Sequence, residues 1–167
     1  MFDSHRVLYR FLLDYYDRLT ADLTDELIVR RPAGNVTPPV WVLGHVAMAG
    51  PYALGLLGRE DRADYVPAGW AENFGPGSAP LDYAPGFEPP TLAALREAIR
   101  EGHARVDAAL GEADFAALGL DEPNPMDFLA AAFPTKRDLL AHLLTTHDAI
   151  HAGQLSAWRR AMNLPAV

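Results

Sequence analysis

Apolar residues recur at the spacing of a helix face along four long segments. Nowhere does a Val-, Ile- or Thr-rich run alternate with the period of two that a half-buried strand needs. That pattern predicts an all-α chain, a four-helix bundle with one long crossover loop. Residues 3–22 read as the first helix, with Asp3 or Ser4 as its cap and Leu8, Phe11, Leu12, Tyr15 and Leu19 on its apolar face. A short turn over residues 24–27 ends at the breaker Arg31-Pro32-Ala33-Gly34-Asn35. Pro38 and Pro39 suit the first turn of a second helix over residues 40–57, closed by Gly58. That segment is almost uncharged, which predicts burial on most sides. Thr91 caps a third helix with Leu92, Leu95, Ile99, Val106 and Leu110 inward. After Pro134, Thr135 caps the last and longest, over residues 136–162.

Residues 59–90 differ in kind. They hold six of the chain's 14 prolines, which forbids a long helix, yet they also carry Tyr65, Trp70, Phe74, Tyr83 and Phe87. A solvated linker has no use for so many large rings. The segment reads as a long ordered loop lying across something: a lid over a site, with Trp70 or Phe74 in its walls, a cover over a core edge, or a contact with a second copy.

Composition removes several function classes. Lys plus Arg number 14 and Asp plus Glu 22, a net charge of −8, so a dedicated nucleic-acid binder is not expected. The chain has no cysteine, which excludes disulfides, thiolate metal ligands and a cysteine nucleophile. It has no stretch of about 18 uncharged apolar residues of the kind that spans a membrane. Met1-Phe2-Asp3-Ser4-His5-Arg6 leads into charged helix rather than an apolar signal core. The expectation is a single domain over 1–167, soluble and cytoplasmic.

The chemistry gathers on histidine. His147 and His151 are four residues apart, one helical turn, on one face. At about 100° per residue, Leu140, Leu143, Leu144 and Trp158 all lie within about 60° of His147, as do His151 and Gln154. Two imidazoles and an amide therefore sit inside the stripe that must face the core. Burying them without partners is costly, so a metal or a ligand is expected to meet them. His45 is the third candidate, polar in an apolar helix and preceded by Gly44. Three histidines from two facing helices would leave an open coordination position. His142 falls about 140° from His147 on a straight helix and is not expected to share the ion. His103, among Arg100, Glu101 and Arg105, and His5, near the start, read as solvated.

These residues carry a family resemblance. Pro38-Pro39-Val40-Trp41-Val42-Leu43-Gly44-His45 opens the second helix, and His147-Asp148-Ala149-Ile150-His151-Ala152-Gly153-Gln154-Leu155 precedes Trp158-Arg159-Arg160. In these motifs and in helix order the chain resembles the DinB-like (YfiT-like) metal-binding four-helix bundles. The resemblance implies that His45, His147 and His151 bind a divalent ion, zinc or nickel. Gln154, Trp41, Trp70 and Phe74 are the candidates for the surrounding shell and pocket. No catalytic residue beyond the ligands is assigned. Ala152 stands where many relatives carry arginine. The resemblance further implies a small-molecule substrate and, in some relatives, a low-molecular-weight thiol, and it allows a homodimer.

Three function classes stay open. The first is a metal-dependent S-transferase joining a small thiol to an electrophile, which suits a chain with no sulfur nucleophile of its own. The second is a metal-dependent small-molecule hydrolase. His147 to His151 has zincin spacing with Asp148 in place of glutamate, but no acidic or histidine residue follows to complete a zincin site. The third is a non-catalytic metal-binding stress-response protein.

Overall fold

The almost uncharged helix is the axis of the bundle. In a computed structural model of the chain, described over residues 1–34 and 36–167, it is α3, Pro39–Leu56. Asn35, at the end of the predicted breaker, lies outside the described residues. Proline at the start of α3 lacks only an N–H that the first turn leaves unbonded anyway. The helix runs on through Pro51 and stops at Gly58, whose φ of +74° is left-handed backbone that glycine adopts without strain. Val40, Val42, Leu43, Val46, Ala47, Ala53 and Leu54 are all buried, so α3 is enclosed on nearly every side.

Around it stand α1 (Asp3–Thr20), α5 (Leu92–Glu112) and a last rod made of α7 (Lys136–Leu143) and α8 (Thr146–Ala161); α2 (Asp25–Ile28), α4 (Trp70–Phe74) and α6 (Asp127–Ala130) are short. Among the described residues there is no strand, only one isolated bridge between Pro123 and Thr135. The fold is all-α, as the periodicity predicts. The closest pairing is α3 on α5, where glycines let the backbones approach: a Cβ on Gly50 would stand 3.2 Å from the Cα of Gly102. Thr91 caps α5 by accepting from the Ala94 N–H, and Thr135 and Asp138 form a reciprocal capping box at α7. Among the described residues no helix is long and apolar enough to cross a membrane.

Three segments depart from expectation. The first helix is rotated from its predicted face: Tyr9, Leu12, Tyr16 and Leu19 are buried, while Leu8 and Phe11 are 50% and 54% exposed. Its polar partners set the rotation. Arg6 and Arg10 meet Asp107 of α5, and Tyr16 donates to the backbone carbonyl of Asp148 at 2.7 Å, contacts that apolar periodicity does not register. Neither Asp3 nor Ser4 caps this helix; Phe2 holds the cap position without a side-chain bond.

The last helix is broken. Leu144 and Thr145 interrupt it, and the Thr145 hydroxyl donates to the carbonyl of Ala141 at 2.6 Å. Two adjacent β-branched threonines, one bonded back onto the preceding turn, weaken the helical ladder at that point.

The third correction concerns the long loop. Trp70 and Phe74 lie in the core, 4% and 0% exposed, beneath the surface rather than across an opening. The Phe74 ring fills the space above Gly44, where a Cβ would fall 2.5 Å from a ring carbon.

Candidate metal centre

His45 projects from α3, and His147 and His151 from successive turns of α8. Each offers one ring nitrogen, and the three nitrogens lie within 4.8 Å of one another. The sequence expectation for these three side chains rested on helical spacing, on polarity within apolar helix faces and on the family resemblance; the fold brings one nitrogen of each close to the others.

The outward nitrogen of each ring already has a partner. His45 Nδ1 lies 2.6 Å from the backbone oxygen of Phe74, His147 Nδ1 lies 3.0 Å from Asp148 Oδ1, and His151 Nδ1 lies 2.8 Å from Gln154 Oε1. All three partners are acceptors, so each Nδ1 must donate. Each neutral ring then presents a bare lone pair at Nε2. Those of His45 and His147 face each other at 3.3 Å. Three lone pairs converging in a partly buried space repel one another and attract a cation. Nitrogen donors in that number suit a divalent transition ion with a coordination position left open.

The surroundings favour the neutral rings. Burial pushes the His45 imidazole below its ordinary range. His151 is lowered to about 4, by burial first and then by the neighbouring His147 and His45. Asp148 is different. Burial, the largest single effect, opposes its charge, but hydrogen bonds from His103 and His147 together with the charge attraction of those rings outweigh it and hold the carboxyl at about 2. The site thus has His45 and His151 favoured in the neutral form in front and one fixed carboxylate behind.

The remaining predicted residues take distinct positions. Trp41 stacks on His45 with centroids 4.7 Å apart, and its Nε1 donates to Ser78 Oγ at 3.0 Å, tying the long loop to the site. Gln154 accepts from His151. Phe74 contributes a backbone carbonyl rather than a ring wall, and Trp70 packs edge-on against Phe74.

A cavity of about 240 Å³ opens beside His45 and His147. Its walls are Met48, Ala49 and Tyr52 of α3, Pro76 and Gly77 of the long loop, Met126, Phe128 and Leu129 around α6, and His142 and Leu143 of α7. The loop lines the cavity through Pro76 and Gly77, not through the rings of Trp70 or Phe74. Among the described residues no lysine, arginine, aspartate or glutamate lines this space, so it suits an apolar small molecule with its polar end at the histidines.

Sequence reasoning missed three side chains. Asp148, one residue and about 100° round the helix from His147, stands where an acceptor behind that ring has to be. His103, read as solvated, is 6% exposed and donates to the other Asp148 oxygen at 3.1 Å. His142, set aside because a straight helix would turn it away, meets His147 edge to face at 5.7 Å and lines the cavity, because the helix is not straight. His5, the remaining histidine, is half-buried beside Phe2.

Comparison with known proteins adds one finding. A family model described as the DinB superfamily matches residues 8–155. No curated protein and no solved structure matches the chain.

Proposed function

Because the chain belongs to the DinB superfamily, we propose that it is a metal-dependent S-transferase, in which a low-molecular-weight thiol is joined to an electrophilic small molecule beside an ion held by His45, His147 and His151. The observation that carries this reading is that one ring nitrogen from each of His45, His147 and His151 lies within 4.8 Å of the others while the Nδ1 of each ring lies against an acceptor. The absence of cysteine supports it further, since the sulfur nucleophile must then come from a diffusible thiol.

When bound, a zinc or nickel ion supplies the Lewis acidity that keeps such a thiol ionised near neutral pH. The chain's own residues do the rest. Phe74, Asp148 and Gln154 hold the three rings in the tautomer that binds metal. Met48, Met126, Leu129 and Leu143 keep water from the reacting sulfur and orient an apolar electrophile. Transfer forms a carbon–sulfur bond while the leaving group departs from the same carbon with the bonding electrons, and the thiol proton passes to solvent.

Hydrolysis is the second reading, favoured by the His142 imidazole on the cavity wall, which offers a water molecule a hydrogen-bonding partner. The two are separated by following 1-chloro-2,4-dinitrobenzene with and without an added small thiol, and p-nitrophenyl acetate without one, on metal-loaded and metal-stripped protein. The transferase reading expects metal-dependent loss of the chloro compound only when thiol is present. Ester cleavage without thiol decides for the hydrolase, and inactivity in both assays for a protein that only binds metal.

A further inference from the structure

Behind His147 the polar contacts continue away from the cavity. Asp148 is 1% exposed, and its two carboxylate oxygens accept from different rings: Oδ1 from His147 Nδ1 at 3.0 Å and Oδ2 from His103 Nε2 at 3.1 Å. Its backbone carbonyl accepts from the Tyr16 hydroxyl at 2.7 Å. His103 belongs to α5, on the far side of the carboxylate. Its ring lies flat on Tyr9, with centroids 3.7 Å apart and planes 8° from parallel, and its Nδ1 is buried with no partner. Among the described residues the one hydrogen bond this side chain makes is the one to Asp148.

We propose that His103 is a positioning residue for the metal centre: by holding Asp148 from behind, it fixes the ring plane and tautomer of His147. The proposal rests on the reading of the three histidines as a metal site.

The physical reason lies in the geometry of a carboxylate shared by two donors. With both oxygens engaged, Asp148 cannot turn about its χ2 bond without breaking one buried contact. Its Oδ1 therefore stays where His147 Nδ1–H must meet it, and His147 Nε2 stays aimed at His45 and His151. With His103 removed, Oδ2 is a buried charge lacking its donor. The carboxylate is then free to rotate toward other N–H groups or to draw in water, and the His147 ring loses its reference. The stack on Tyr9 does the same for His103 itself, holding its plane in line with Asp148. Outer partners of this kind typically change metal affinity by about 10- to 100-fold.

A structural plug between α1, α5 and α8 would occupy the same space, so the test must separate the donor from the bulk. Cobalt(II) is the probe, for both its affinity and its visible ligand-field bands. His103→Leu keeps much of the volume and removes the donor, whereas His103→Gln returns an amide N–H to about the place of Nε2. The proposal expects cobalt affinity to fall about 10-fold or more in His103→Leu, with shifted bands, and His103→Gln to stay within about 3-fold of the parent. Parent-like affinity and bands in a folded His103→Leu overturn it, and so does an equal loss in both variants. Should His103→Leu not fold, ¹⁵N shifts of the parent protein decide: His147 protonated at Nδ1 and His103 at Nε2 support the proposal, and any other tautomer of either ring overturns it. A parent chain that binds no cobalt contradicts the metal reading itself, a result distinct from either outcome at His103.

Discussion

His45 and His147 meet nitrogen to nitrogen, Nε2 to Nε2 at 3.3 Å, each with its Nδ1 already bonded to an acceptor on its other side. Two neutral imidazoles would normally avoid that arrangement, since neither has a proton to offer the other. The fold holds them there from opposite directions, α3 with the Phe74 carbonyl and α8 with Asp148. A cation between them converts the repulsion into binding, and the predictions below follow from that.

Gly44 sets the position of Phe74 and through it the His45 tautomer. A methyl group at this position would fall 2.5 Å from the Phe74 ring, so Gly44→Ala must displace the ring and the carbonyl it carries. Overpacking of this kind costs about 1–3 kcal/mol. The expected result is lower stability by denaturant titration together with weaker metal binding; unchanged metal affinity would detach Phe74 from the site.

Trp70 and Phe128 are expected to separate stability from ligand binding. Trp70 is 4% exposed in the core, so Trp70→Ala should cost about 3–5 kcal/mol through the cavity it leaves. Phe128 lines the cavity yet is 68% exposed, so Phe128→Ala should leave the melting temperature nearly unchanged and weaken binding of an apolar small molecule. The reverse pattern would restore the lid role that the sequence suggested for Trp70.

The metal-free protein should lose stability in acid in two stages. His45 and His151 are both shifted down from an ordinary 6.5, His151 to about 4. Between about 6.5 and 4 the unfolded chain therefore binds more protons than the folded one, and stability falls as pH drops through that window. Asp148, held at about 2 against an ordinary 3.8, adds a second loss below 3.8. Melting temperature against pH measures this, and His151→Ala should flatten the first stage. A constant melting temperature from pH 7 to 4.5 would contradict the neutral, desolvated rings.

How much of this the sequence could reveal depended on which group carried the information. His45, His147 and His151 were legible because side chains at helical spacing inside an apolar stripe report their own direction. Phe74 was not, because it acts through a backbone oxygen that any residue possesses. His103 was legible in principle: at about 100° per residue it lies within about 40° of Leu92, Ile99 and Leu110, the same test that exposed the other pair. Its charged sequence neighbours Arg100, Glu101 and Arg105 hid it. His142 depended on a break at Leu144 and Thr145 that periodicity, which assumes a straight helix, carries no sign of.

Metal content bears most directly on the three-histidine site. The parent chain, supplied with zinc or nickel and dialysed against a weak chelator, is predicted to retain one ion per chain, and His151→Ala, still folded, to retain almost none, since two neutral ligands bind far more weakly than three. Equal, stoichiometric metal in the variant, or none in the parent, would contradict the convergence of His45, His147 and His151 on a single ion.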